Sequence, residues 1–139
     1  MVETKAEDFL ERLKKLKKLI ANKVDEKEEW EVFAIGMSSQ ISERTQGSSN
    51  GQRLEKAVLK YMEEVKKIDD AIYELMNERK EKIKFLEKLN DVNYDILYKI
   101  YVKDFNIQDI ADVYDRTYSW ATSLHNRSKK KLQKLLDEI

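Results

Sequence analysis

Near its C-terminal end the chain gathers short polar side chains and then cations: Tyr118, Ser119, Thr122, Ser123 and Asn126, followed by Arg127, Lys129, Lys130, Lys131 and Lys134. Hydroxyls and carboxamides both donate and accept hydrogen bonds, and Arg and Lys meet anions, so this grouping suits a polar polyanion. Six residues between Arg116 and Leu136 are basic and none is acidic, although the formal net charge of the whole chain is zero. Other chemistry finds few residues to carry it. His125 is the only histidine, and alone on the inner flank of a helix it is expected to be packed or hydrogen-bonded rather than a base or a ligand. The acids are interleaved with Lys at helical spacing, the pattern of an ion-paired, solvated face. There is no cysteine, which excludes a thiolate metal site and fits a reducing compartment. No Gly-rich phosphate loop follows a strand, and Asn126-Arg127-Ser128 matches a glycosylation acceptor only by chance. No catalytic, cofactor-binding or metal-binding residue is assigned, no cofactor is expected, and the chain is not read as an enzyme.

Three apolar-periodic segments between Asn93 and Leu136 must position these side chains. They are separated by polar breaks at Lys103 to Asn106 and Asp115 to Thr117, the layout of a helix-turn-helix with a long last helix. Asn106 and Thr117 stand where N-caps belong, because a short side-chain oxygen can accept from the free N–H groups that open a helix. Asp109, three residues after Asn106, makes a variant of the capping box. Ile107, Ile110, Ala111 and Tyr114 form one apolar face of the middle helix, with Ala111 small enough for a close crossing. The last helix turns Ala121, Leu124, Ser128, Leu132 and Leu135 inward, which leaves Tyr118, Ser119, Thr122, Ser123 and Asn126 outside near its start. Trp120 is expected to pack on the middle helix or on the N-terminal helices.

Ile110-Ala111, a turn at Asp115-Arg116, the capping Thr117 and the later Leu132 resemble the helix-turn-helix of bacterial sigma factor region four. With Leu124-His125 and a long, charged helical N-terminal half, the chain is similar to small phage and prophage regulators of the ArpU-like, late-gene group. The motif covers about a third of the chain, and Asp104 and Asp115 stand where that family often has glycine. The resemblance implies that Tyr118, Ser119, Thr122 and Ser123 face the major groove of double-stranded DNA. Asn126 and Arg127 follow a turn later, and Thr117 opens the reading helix. Reading DNA needs short polar side chains at base edges and cations on the flanking phosphates. Lys130 is a candidate phosphate contact, and Gln108 another at the start of the middle helix, where the helix dipole favours an anion. Tyr118 and Thr122 can contact a thymine methyl, but neither offers the Arg fork to guanine, so modest specificity is expected.

The chain as a whole has 139 residues, 41% hydrophobic and 39% charged, with no proline. That composition predicts long helices and an all-α fold; the periodic segments and the resemblance together imply an N-terminal helical hairpin or coiled coil over 1–90, then a DNA-binding helix-turn-helix over 91–139. Thr4 to Ala34 reads as a first helix through Phe9, Leu13, Leu16, Ile20, Trp30 and Ala34, with a break near Asp25 where the phase weakens. Residues 36–52 hold all three glycines and most of the serines, and they read as a flexible loop. Arg53 to Asn90 keeps a 4,3 seam through Leu54, Val58, Tyr61, Val65, Ile68, Ile72 and Leu75, resuming at Ile83, Leu86 and Leu89. This predicts a helix of about 38 residues, ~57 Å long. Two helices make a thin core, so pairing with a second copy along that seam is expected.

No apolar run approaches a membrane span and no signal-peptide pattern opens the chain, so a cytoplasmic protein of a bacterial host, with no membrane partner, is expected. The function these features predict is a sequence-specific transcription regulator acting as a homodimer, with RNA polymerase as a further partner. The rival is a helical adaptor that contacts RNA polymerase or a phage protein without reading DNA. The six Asp between Asp91 and Asp115 favour that rival, because they would repel phosphate. A DNA-packaging recognition subunit would use the same motif.

Overall fold

A computed structural model of the protein describes residues 4–43 and 48–139. They form five helices and no strand: α1 (Lys5–Glu43), α2 (Ser48–Leu86), α3 (Asp91–Tyr101), α4 (Ile107–Tyr114) and α5 (Tyr118–Asp137). The all-α class follows from the sequence, whereas several boundaries move. α1 runs through Asp25 without a break and ends nine residues later than Ala34. The loop expected over 36–52 is helical at 36–43 and again from Ser48, and its centre, 44–47, lies outside the described residues. No proline is there to stop either helix, and a glycine inside a helix costs only about 1 kcal/mol against alanine. Gly36 and Gly51 sit in open space with ordinary helical backbone. α2 ends at Leu86 rather than Asn90 because Asn90 serves α3 instead: its side chain accepts from the backbone of Asn93 as an N-cap.

The chain forms two compact units, Met1–Lys18 with Asn77–Ile139, and Leu19–Met76. They divide at positions other than the 90/91 boundary expected, because the first turns of α1 pack with the C-terminal helices. In the first unit Ala6, Leu10 and Leu13 recur at spacings of four and three, and they join Leu86, Ile96, Leu97, Ile100, Val102, Ile110, Ala111, Ala121, Leu124 and Leu132 in one buried cluster. The Ala6 N–H donates to Gln133 Oε1 at 2.9 Å, and Arg12 grips Glu78 with two bonds of 2.7 and 2.8 Å.

Polar links tie α3 into this core. The Ser128 hydroxyl, fully buried, lies 2.7 Å from Asn93 Oδ1 and 2.8 Å from the Leu124 carbonyl, and the Asn93 amide donates to Asn90. Tyr114 donates to Asp95, which also holds Lys99 at 2.5 Å. Burial pulls the Asp95 carboxyl upward, but Lys99 and Tyr114 together hold it below the usual carboxylate range. Burial and Asp95 push the Tyr114 phenol up to about 12.

The second unit is a pair of helical segments. Ile68 and Met37 are buried, while Leu54, Tyr61, Val65, Ile72 and Leu75 are half-buried. Lys27 bridges to Asp69 at 2.9 Å. The seam expected to need a second copy is therefore half-buried inside one chain, and most of it is not open to a partner.

Candidate nucleic-acid interface

Local capping sets the geometry of α4 and α5. Asn106 accepts from the backbone of Asp109 at 2.8 Å, and Asp109 returns a bond to the backbone of Asn106 at 2.9 Å, so the capping box is complete. α4 stops at Asp115, whose φ of 52° lets the Arg116 N–H reach the Ala111 carbonyl at 2.9 Å, a Schellman-type closure. Asp104, with φ 61°, turns the chain between α3 and α4 and is held by Lys17 at 2.8 Å. That bond pulls the Asp104 carboxyl below its ordinary range. Thr117 caps α5 by accepting from Trp120 at 3.1 Å. Ala111 and Ala121, both buried, let α4 and α5 approach closely.

α5 has an inner side and an outer one. Ala121, Leu124, Ser128 and Leu132 are buried, and Leu136 rather than Leu135 packs against the core. Trp120 packs on Tyr114, ring centroids 5.4 Å apart, under the Arg116 guanidinium at 5.5 Å, so it stabilises the turn. Thr117, Tyr118, Ser119, Ser123, Asn126, Arg127 and Lys130 are exposed. At about 100° per residue, Ser119, Ser123, Arg127, Lys130 and Lys134 fall on one line along the helix. The line runs from two hydroxyls to three cations with no acid on it, and Lys134 was not among the expected contacts. Its spacing of four from Lys130 was the available signal.

Other expected contacts are placed differently. Thr122 is half-buried and donates its hydroxyl to the Tyr118 carbonyl at 3.0 Å, so it can only accept from a ligand. Gln108 is exposed, and its amide donates one of its two hydrogens to Asp112 at 2.9 Å, which sets a carboxylate beside the second. Asn126 and Lys130 share a cleft of about 330 Å³ with Thr4, Ala6, Glu7, Lys129 and Gln133, beside the start of α1. Tyr118 lies off the line, at the opening of the helix, with 58% of its surface exposed.

His125 lies on the inner flank. Its Nε2 is 2.8 Å from the Tyr101 hydroxyl, and the two rings stack at 5.8 Å. Burial, helped by Lys129, lowers the imidazole to about 4, and burial pushes the Tyr101 phenol up to about 12. The pair is neutral near pH 7, and the expectation of a packed, hydrogen-bonded histidine holds. Among the described residues no group of three or more His, Cys, Asp or Glu is arranged to hold a metal, and no helix is long and apolar enough to cross a membrane. No protein-family description matches the chain, and comparison with curated proteins and with solved structures finds no match.

Proposed function

We propose that the protein is a DNA-binding transcription regulator in which α4, the turn at Asp115 and α5 act as a helix-turn-helix of sigma region four type. The carrying observation is the acid-free line Ser119, Ser123, Arg127, Lys130 and Lys134 on a helix whose start is capped by Thr117 and braced by the Trp120–Tyr114 contact. Hydroxyls near the helix start meet base edges, and the cations beyond them meet phosphates. Thr122, with its proton donated to the helix, contributes less than Ser123. The resemblance to late-gene regulators of phages and prophages adds promoter DNA as the target, RNA polymerase as a further partner and the cytoplasm of a bacterial host as the setting.

The second reading is the adaptor that binds a protein and no DNA. It draws on Asp109, Asp112 and Asp115, all exposed on or beside α4, with Gln108 bonded to Asp112. One set of titrations separates the two readings. Full-length protein and the variant Arg127→Glu/Lys130→Glu/Lys134→Glu, altered only at exposed or surface positions, are titrated with fluorescent duplexes selected from a random pool, at two salt concentrations. A regulator binds non-specific duplex with a Kd of ~10⁻⁴ to 10⁻⁶ M near physiological salt. The triple variant should lose at least 100-fold, and Arg127→Ala should weaken all sequences alike and lower the salt slope by about one. Equal, negligible binding by parent and variant would establish the adaptor reading instead.

A further inference from the structure

α2 carries a second stripe, distinct from its half-buried seam, at positions 59, 62, 66, 69, 73 and 76, where spacings of three and four alternate. Its residues are Leu59, Met62, Lys66, Asp69, Tyr73 and Met76, and all six are exposed. Leu59, Met62, Tyr73 and Met76 show 54%, 60%, 72% and 56% of their surfaces to solvent, a large apolar expense for one helix. The stripe reads as its own complement when reversed. Turned end for end about a point between Lys66 and Asp69, it sets Leu59 against Met76, Met62 against Tyr73 and Lys66 against Asp69. The sequence carries the pattern one step further at both ends, where Glu55 and Lys80 make the next opposite-charge pair.

We infer that this stripe is a homodimer interface, in which α2 of one chain lies antiparallel on α2 of a second copy across a twofold axis near Lys66 and Asp69. A twofold interface must be self-complementary, because each residue meets the partner of its mirror position. A partner of unrelated sequence would give the stripe no reason to be its own reversed complement. Parallel pairing is opposed by charge, since it would bring Lys66 onto Lys66 and Asp69 onto Asp69. Asp69 already receives Lys27 on Oδ1, yet its side chain stays about half exposed (49%), so Oδ2 remains for the Lys66 of the second copy. Lys66 has no ion-pair partner among the described residues. The second copy also supplies what the second unit lacks, because Met37 and Ile68 are its only buried apolar side chains among the described residues. This interface does not depend on DNA binding: a chain that binds DNA as a monomer overturns it and leaves the regulator reading intact.

The test uses the full chain, which has no cysteine of its own. Sedimentation velocity at tens of micromolar should show a dimer. Met62→Cys and Tyr73→Cys, mixed under mild oxidation, should form a covalent heterodimer at least tenfold faster than either variant links to itself. Two copies of position 62 would sit ~16 Å apart along the antiparallel pair, beyond disulfide reach. Lys66→Glu should raise the dimer Kd at least tenfold. Lys66→Glu/Asp69→Lys/Lys27→Glu, which keeps the Lys27–Asp69 pair with its charges exchanged, should return it to within threefold of the parent. Circular dichroism checks that each variant stays helical, as expected of exposed positions. A monomer at 100 µM, self-linking as fast as the mixture, or an unchanged Kd in Lys66→Glu each overturns the proposal.

Discussion

The two units of this protein bury their apolar residues very differently. In the unit formed by Met1–Lys18 and Asn77–Ile139, five helical segments close around a core that includes Leu10, Leu13, Leu86, Ile96, Leu97, Ile110 and Leu132, each almost wholly shielded from water. In Leu19–Met76 two long segments of comparable helix content shield Ile68 and Met37, while Val32, Phe33, Ile35, Leu59, Met62 and Tyr73 remain more than half exposed. Helix length therefore does not measure stability. A straight helix can hide only one stripe against one neighbour, whereas the short helices α3, α4 and α5 cross and cover each other on several sides. The first unit can hold a surface rigid enough to read a ligand, and the second has apolar surface left over for association.

That contrast can be broken most directly in the core. Leu97→Ala removes a side chain with no exposure and should cost ~3 kcal/mol, whereas Val65→Ala, half-buried in α2, should cost about 1 kcal/mol. Urea unfolding of both variants measures it, and equal costs would mean that the second unit is packed as well as the first.

Acid sharpens the comparison next. The His125 imidazole titrates near 4 in the folded chain and near its ordinary 6.5 when unfolded, so the unfolded chain binds the extra proton between those values. Stability contributed by neutral His125 is present above pH 6.5 and is lost as pH falls towards 4, by up to ~3 kcal/mol. Asp95 and Asp104, held low by their partners, lose stability in the same direction at still lower pH. His125→Gln should flatten the limb between pH 6.5 and 4 in thermal melts, and an unaltered limb would place the acid sensitivity elsewhere.

Smaller effects test the polar fittings of the first unit. Ser128→Val strands the buried carboxamide oxygen of Asn93 and should cost ~1 to 3 kcal/mol in urea unfolding, with Ser128→Thr, which keeps the hydroxyl, costing less. Asp115→Gly should go the other way. The residue holds φ at 52°, where a side chain is strained, and glycine should stabilise the chain by up to ~1 kcal/mol in the same urea assay. A loss of stability would mean that the Asp115 side chain carries a contact that its backbone geometry does not reveal.

Much of the C-terminal region was legible in the sequence because its signals are local. A cap acts within three residues, so Asn106, Asp109 and Thr117 could be assigned from spacing alone, and the inner face of α5 followed from a period of 3.6 as far as Leu132. What escaped is what depends on distance along the chain or on competition between partners. Nothing local says that Ala6, Leu10 and Leu13 belong with Leu132, so the unit they share cannot be read from spacing. Gln108 is exposed, and its bond to Asp112 depends on a neighbour four residues away that the helix-start position by itself does not reveal. The helical period places Ser128 on the inner side, yet the reason a hydroxyl sits there, the Asn93 carboxamide 35 residues earlier, has no sequence signature. Residues 36–52 misled because composition measures preference, and an unbroken helix on either side can override a preference worth about 1 kcal/mol per glycine.

The placement of Ala6, Leu10 and Leu13 in the C-terminal core also sets a schedule for biosynthesis. These side chains leave the ribosome well before their partners: Leu86 follows roughly 80 residues later and Leu132 later still. At 5–20 residues per second that is on the order of ten seconds during which an amphipathic segment has none of its native partners. Contacts so remote in sequence also raise the contact order of an otherwise local, fast-folding helical topology. Completion of the first unit therefore waits until α5 has emerged, and until then the nascent chain offers Leu10 and Leu13 to whichever chaperone binds apolar helical segments.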